Sequence, residues 1–357
     1  MDLSKLFNSE PYSLTKNEKK IFFDKYFFQL IKFHYLNCVS YKNILDSILY
    51  NPSKRNDLKN IPFLPSRLFK TKQLFSISEN KITNILTSSG TSGQQPSKIF
   101  LDKSTVINQK KVLMKIVHNL LGQKRLPMLI IDSVSVLKKG RSYSARGAGI
   151  LGFSTFGKDP TFVLNEDMSL NYNSLDLFLE KYNKENFFIF GFTYMIHEYF
   201  VKILSKNKRK IDLSKSLLIH GGGWKKMEGE SLSKYEFKNK LLNLFGIKRV
   251  HDYYGMVEQT GSIFIECKEG YFHSSIFSDI YIRRPIDFSL ASIGEKGLIQ
   301  LISTLPISYP GFSILTEDIG IFLGVDDCRC GRFGKYFQVE GRVKNSELRG
   351  CSDTYEA

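Results

Sequence analysis

Residues 87–93, Thr-Ser-Ser-Gly-Thr-Ser-Gly, set hydroxyls and uncovered backbone N–H groups side by side, with Pro96 and Lys98 close behind. Glycines at 90 and 93 open φ values that other residues avoid. Convergent amides and hydroxyls of this kind cradle phosphate oxyanions, although the same composition also suits a flexible linker. The flanks favour the first reading, because 82–86 and 99–101 are apolar and strand-like, which makes the run a tight connection inside a domain. A Walker A loop is excluded: Gly90 and Gly93 would each need a second glycine five positions on, and those positions are Gln95 and Lys98. The run is a phosphate loop of another kind, or a plain turn.

Other candidate residues follow apolar stretches in the same manner. In His220-Gly-Gly-Gly-Trp-Lys225, Gly221, Gly222 and Gly223 let the backbone lie flat against a ligand such as a purine ring, or simply turn tightly. His251-Asp-Tyr-Tyr-Gly-Met-Val-Glu258 offers the aromatic face of Tyr254, a glycine at 255, and a carboxylate, Glu258, able to hold Mg²⁺ near phosphate; a buried tyrosine and a solvated glutamate account for it equally. Thr316-Glu-Asp318 reads as loop-like, with Asp318 able to accept hydrogen bonds from ribose hydroxyls, and Gly341 precedes a fixed cation, Arg342. Each of these, taken alone, also reads as a solvated surface charge.

Gly147-Ala-Gly-Ile-Leu-Gly152 matches GxGxxG by letter, but no strand runs straight into it as a dinucleotide site requires. It reads as a glycine-rich helix start beside a basic segment, with Arg141 and Arg146 available to an anion. Cys328-Arg-Cys330 has metal-like spacing, yet a closed zinc site needs four ligands, and Cys351 and His273 are the added candidates. Cys351 lies near the end of the chain beside Arg349 and Lys344, which favour its thiolate; it is a reactive thiol or an incidental one.

These residues need elements to position them. Helical spacing of apolar residues over 15–50 predicts one or two amphipathic helices. Pro62 and Pro65 bracket an extended passage, and 104–121 reads as a helix capped by Asp102 or Ser104. Strands are expected at 126–137, 187–190, 217–219 and 248–252, alternating with helices at 194–204 and 234–245. Such alternation means an α/β protein with its sites on loops at strand carboxyl ends. From 297 onward more turns are expected.

The bulk properties narrow the class further. With 357 residues, 42% hydrophobic and 24% charged, the chain can bury a large core. Its net charge of +16 invites acidic partners, but the lysines sit in ones and twos, densest over 206–210, so no nucleic-acid face is expected. Five cysteines, an odd number, suit a reducing compartment. Neither a signal peptide nor an apolar run of about 20 residues is evident, and a cytoplasmic protein is expected.

In this order the motifs resemble the adenylate-forming enzyme superfamily. The 87–93 run is similar to its phosphate loop, Tyr254-Gly-Met-Val-Glu258 to its Tyr-Gly-x-x-Glu segment, Thr316-Glu-Asp318 to its Thr-Gly-Asp segment, and Gly341-Arg342 to its Gly-Arg pair. Within the superfamily the chain most resembles the LuxE-type acyl-protein synthetases. Phe63-Leu-Pro-Ser-Arg-Leu-Phe-Lys70, Ser144-Ala-Arg-Gly-Ala-Gly-Ile-Leu-Gly-Phe153, His220-Gly-Gly-Gly-Trp-Lys225 and Arg349-Gly-Cys351 carry that resemblance, which spans about 60–355. Three departures stand out: Gln94-Gln-Pro-Ser precedes Lys98, Glu317 replaces a glycine, and the chain ends just past the Gly-Arg pair.

The resemblance implies an α/β large domain of packed sheets and helices over 1–340, then a short tail over 341–357, without the superfamily's full mobile C-terminal domain. It implies ATP and Mg²⁺ as cofactors, with Ser88, Ser89, Gly90, Thr91, Ser92 and Gly93 on the ATP phosphates. Gly221, Gly222 and Gly223 would flank the adenine, with Tyr254 and Gly255 beside it; Glu258 would help hold Mg²⁺, and Asp318 and Arg342 would contact the ribose. It further implies activation of a long-chain fatty acid as acyl-AMP, with Arg146 stabilising charge near the adenylate. Cys351 would take the acyl group and pass it to a fatty-acid reductase or an acyl carrier protein. A CoA ligase of the phenylacetate type, which shares a Cys-x-Cys-Gly-Arg stretch, and a non-catalytic nucleotide- or nucleic-acid-binding protein are the alternatives.

Overall fold

A computed structural model describes residues 2–88, 96–137, 145–224 and 232–343, which fall into two compact units. One is built from the described parts of 2–120 and 255–343, the other from those of 121–254.

In the first unit Thr15 opens the helix Lys16–Asn37. Its side chain accepts from the Glu18 N–H, while the Glu18 carboxylate accepts from the Thr15 N–H at 2.8 Å, so two otherwise open donors are satisfied reciprocally. Phe23, Phe27, Leu30 and Ile31 form its buried stripe, and Phe27 and His34 lie against Phe312 with ring centroids 5.9 and 5.5 Å away. Val39–Ser47 follows, so the helices expected over 15–50 are present. Asp102 caps Lys103–Leu121, its Oδ1 accepting from the Thr105 N–H at 2.8 Å. The strands Asn84–Thr87 and Lys98–Leu101 pair antiparallel on either side of the serine- and glycine-rich run.

The sheet of this unit overturns the expectation of a turn-rich end. Phe272–His273, Lys335–Arg342, Ser313–Val325, Lys296–Ser303 and Ser278–Arg283 lie in that order, each antiparallel to its neighbour, and Leu64–Pro65 joins Ser313–Val325 in parallel. Thr316 and Asp318 sit inside the strand Ser313–Val325, not in a loop. Glu317 and Asp318 have little strand propensity of their own, but pairing on both sides outweighs it.

Three charges are buried where the long helix meets this sheet. Asp279 Oδ1 is 3.8 Å from Lys19 Nζ and Oδ2 is 3.2 Å from Lys335 Nζ, all with little exposure. Burial alone would raise the Asp279 pKa, but the two ammonium groups hold it below the usual carboxylate range. Burial pulls Lys19 down to about 8 against the pull of Asp279.

The second unit is a parallel sheet in the order Gly157–Leu164, Leu126–Ser133, Phe187–Phe192, Ser216–Gly221 and Arg249–Tyr254. Phe187–Phe192 and Ser216–Gly221 are buried throughout, as strands covered on both faces must be. The expected helix over 234–245 is Lys234–Phe245, opened by a Ser233–Glu236 capping box and closed by Gly246 at φ 72°. The expected helix over 194–204 runs 193–206, with a π segment at His197–Lys202. Gly157–Leu164 and Tyr172–Tyr182 had no clear signal in the sequence. Chain order and spatial order diverge at Leu126–Ser133, which places the topological switch point between its carboxyl end and that of Phe187–Phe192. Among the described residues, no helix is long and apolar enough to cross a membrane.

Asp279→Asn leaves two lysines buried without their counter-charge. The expected loss is about 3–5 kcal/mol, read from the urea unfolding midpoint and slope. An unchanged midpoint would show that the charges carry no weight.

Candidate active site

Parallel pairing brings the glycine turn and the tyrosine motif of the second unit to the same sheet edge. Gly221 lies opposite Tyr253 in the register of Ser216–Gly221 and Arg249–Tyr254, and Tyr254 is the next and last residue of its strand. The glycines are required by their surroundings. A Cβ on Gly221 would stand 2.6 Å from the Tyr253 ring, and one on Gly222 2.6 Å from the Phe192 ring. Gly222 and Gly223 have φ of +86° and +63°. Behind the turn, buried His220 sets its Nδ1 2.9 Å from Thr193 Oγ1, which donates to the Gly221 carbonyl at 3.1 Å. The sequence pointed to Tyr254; Tyr253 and Phe192, whose rings wall the turn, were not picked out.

The glycine-rich segment is the helix Ala145–Ser154, as expected. Gly149 lets it approach closely, since a Cβ there would lie 3.2 Å from Phe192 and 3.4 Å from the Tyr253 hydroxyl. Phe153 stacks on Phe190 at 4.4 Å and lies 5.1 Å from Tyr253. Arg146 faces inward: it is 4% exposed, with Nε 3.2 Å from Asp132 Oδ2 and Nη1 3.7 Å from Met195 Sδ. It therefore spans the switch point between Leu126–Ser133 and Phe187–Phe192. Burial raises the Asp132 pKa to about 6, in spite of the Arg146 charge.

In the first unit the other predicted residues converge. Glu258 belongs to the short turn Val257–Gln259 and is 7% exposed. Tyr309 donates its hydroxyl to the Glu258 carbonyl at 2.7 Å, and Gln259 donates its amide to the carbonyls of Leu301 (3.2 Å) and Gly311 (2.9 Å). Glycine at 311 is required, because a Cβ would overlap the Tyr309 ring. Burial raises the Glu258 pKa, while Ser97, Lys70 and Arg342 pull it down. Ser97 belongs to the foot of the phosphate-loop candidate: its N–H donates to Ser88 Oγ at 2.8 Å, and the Ser88 N–H donates to the Ser97 carbonyl at 3.2 Å. Asp318 and Arg342 are directly opposite on neighbouring strands, and Arg342 Nε donates to Asp318 Oδ1 at 3.0 Å. Glu317, in place of the motif's glycine, pairs with Arg67 of the Phe63–Lys70 motif. A Cβ on Gly255 would meet Ile263 at 3.1 Å. Ser89, Gly90, Thr91, Ser92, Gly93 and Cys351 lie outside the described residues.

A parallel sheet with a glycine turn and a tyrosine motif at its carboxyl end, and a unit carrying a buried glutamate and an Asp–Arg pair, make a fold similar to the large domain of adenylate-forming ligases. The fold agrees: a 2-hydroxyisobutyryl-CoA ligase superposes with a TM-score of 0.73 over 94% of this chain and 77% of its own, at 13% identity. A long-chain-fatty-acid-CoA ligase from Archaeoglobus fulgidus does so with 0.51 over 75% and 53%, at 14% identity. The chain belongs to the family described as acyl-protein synthetase, LuxE, whose family model matches residues 2–357. Its relatives include the long-chain-fatty-acid–luciferin-component ligases of Aliivibrio fischeri (25% identical over 88% of this chain and 83% of the relative) and Vibrio harveyi (24% over 97% and 90%).

Removing one partner of the Arg146–Asp132 pair strands a buried charge, so Asp132→Asn and Arg146→Met are each expected to lose about 3–5 kcal/mol. The double variant loses much less than their sum, as a double-mutant cycle in urea would record. The folded Asp132 pKa lies above its unfolded value, so the folded chain binds the extra proton between about pH 4 and 6. The wild type's stability relative to the double variant should fall as pH rises through that window.

Proposed function

We propose that the chain activates a long-chain fatty acid with ATP as acyl-AMP and transfers the acyl group to a protein thiol, first its own Cys351 and then an acyl-acceptor protein. The observation that carries this reading is the setting of Glu258, a buried carboxylate adjoining Ser97 at the foot of the phosphate loop and within the fields of Lys70 and Arg342. A carboxylate of the acid is a poor electrophile. Its oxygen attacks the α-phosphorus of ATP, the bond to pyrophosphate breaks, and the resulting mixed anhydride carries AMP as a good leaving group. A thiolate then attacks the acyl carbon and AMP departs.

Under this reading the loop residues Ser88, Ser89, Gly90, Thr91, Ser92 and Gly93 orient the phosphates. Gly221, Gly222 and Gly223, with Tyr254 and Gly255, receive the adenine, and the Asp318–Arg342 pair takes the ribose hydroxyls. A single buried carboxylate beside a phosphate loop fits Mg²⁺, which takes one or two protein carboxylates together with substrate phosphate oxygens. Glu258 would hold it, and the ion would supply charge neutralisation at the phosphates. Arg146, expected to stabilise charge near the adenylate, is instead committed to Asp132, and under this reading it serves as a positioning residue that seats the glycine-rich helix on the sheet. A fatty-acid reductase or acyl carrier protein in the cytoplasm is the fitting acceptor, since a nucleophile on such a protein can take the acyl group from the Cys351 thioester and release the thiol.

The test is ATP–pyrophosphate exchange against a panel of fatty acids, followed by intact mass of the protein. Glu258→Gln is expected to lower exchange by about 100-fold or more. Cys351→Ser is expected to keep exchange and lose acylation. Acyl-CoA formation without protein acylation would point to a CoA ligase, and acylation unchanged in Cys351→Ser would remove that residue from the scheme.

A further inference from the structure

The first unit gathers a second set of reactive side chains that acid activation does not use. Cys267, His273, Cys328 and Cys330 each present one potential ligand atom, and the four atoms lie within 4.8 Å of one another. His273 and Cys330 are 57 positions apart in sequence, yet His273 Nε2 is 3.4 Å from Cys330 Sγ. Three of the four residues are buried and Cys330 is half-buried; the three cysteines are free thiols.

Two matching turns deliver the sulfurs. In 267–270 the Gly270 N–H donates to the Cys267 carbonyl at 3.0 Å, with Gly270 at φ +84°. In 328–331 the Gly331 N–H donates to the Cys328 carbonyl at 3.0 Å, with Gly331 at φ +85°. Both turns put cysteine first and a left-handed glycine fourth. The imidazole comes from the strand Phe272–His273, where His273 lies opposite Tyr336 and stacks on its ring at 5.5 Å. The Arg332 N–H points at Cys330 Sγ from 3.4 Å, and its guanidinium lies 4.4 Å over the Tyr12 ring.

Thiols are weak hydrogen-bond partners, so three of them packed with an imidazole out of water gain little from one another. A tetrahedral zinc ion, with Zn–S about 2.3 Å and Zn–N about 2.0–2.1 Å, sets its ligand atoms about 3.5–3.8 Å apart, within the span these side chains already occupy. Three soft sulfurs and one imidazole select zinc over the oxygen-seeking ions.

We propose that Cys267, His273, Cys328 and Cys330 bind one zinc ion in a closed, structural site. Binding displaces the three thiol protons, and the resulting single negative charge lies beside Arg332. The ion would pin the turn between Ser313–Val325 and Lys335–Arg342 to the 267–270 turn and the strand Phe272–His273. Those two strands also hold Asp318 opposite Arg342, so the site would brace the register on which that pair depends.

The test uses the full chain purified under reducing conditions. Elemental analysis after gel filtration is expected to find about one zinc per chain. The metal-stripped protein refilled with Co²⁺ should show the visible bands of a tetrahedral ion together with a thiolate-to-cobalt charge-transfer band. Loss of outer partners alone weakens metal binding 10–100-fold, so Cys267→Ser and His273→Ala are each expected to weaken Zn²⁺ binding by more than about 100-fold. Cys38→Ser, a buried cysteine elsewhere in this unit, should leave the zinc content unchanged. A folded wild type that neither retains zinc nor gives the tetrahedral Co²⁺ spectrum overturns the site, whatever the variants do. Zinc content unchanged in both Cys267→Ser and His273→Ala overturns the ligand set.

Discussion

Keeping one carboxylate out of water is the constraint on which the first unit turns. Glu258 resists ionisation because it is buried, and its backbone is therefore held by groups that leave the side chain its own direction. The Tyr309 hydroxyl secures the Glu258 carbonyl, and Gln259 bridges two carbonyls of the neighbouring sheet region. Gly311 is small so that Tyr309 can reach. Under the proposed reading, a glutamate whose backbone is held in this way would meet a cation and a phosphate chain with little rearrangement of its main chain, which is where preorganised charge is most effective.

Buried charge recurs in both units, each time with a local answer. Asp279 takes two lysines, and Asp132 takes one arginine. Such pairs contribute little net stability compared with apolar packing, yet either partner alone is costly. Their effect is to fix arrangement: Lys19 with Asp279 sets the long helix on the antiparallel sheet, and Arg146 with Asp132 sets the glycine-rich helix at the switch point of the parallel one. With the proposed zinc, the cluster of Cys267, His273, Cys328 and Cys330 would extend the same pattern to a bound cation.

In the second unit, glycine does the equivalent work by absence. Gly149, Gly221 and Gly222 each leave room for an aromatic ring, Phe192 or Tyr253, that a methyl group would displace. The rings of Phe192 and Tyr253 then wall the turn.

Much of this was legible before any coordinates. The Asp102 cap acts within three residues, so the start of Lys103–Leu121 could be read directly, and four of the five parallel strands showed as short apolar runs, Gly157–Leu164 being the exception. The order of the motifs was enough to name the family. Side-chain partners were a different matter, because they depend on strand register across long separations: the resemblance put Asp318 and Arg342 at one ribose, but that they pair with each other came only from the antiparallel register. Thr316-Glu-Asp318 looked like a loop because two of its residues, Glu317 and Asp318, disfavour strands, and two flanking strands overrode that preference. Cys267 went unnoticed beside Cys328 and Cys330, although 267–270 and 328–331 share a Cys-x-x-Gly spacing that hinted at paired turns. Local chemistry was written in the chain; which distant groups share a charge, a proton or a metal was decided by the way the sheets align.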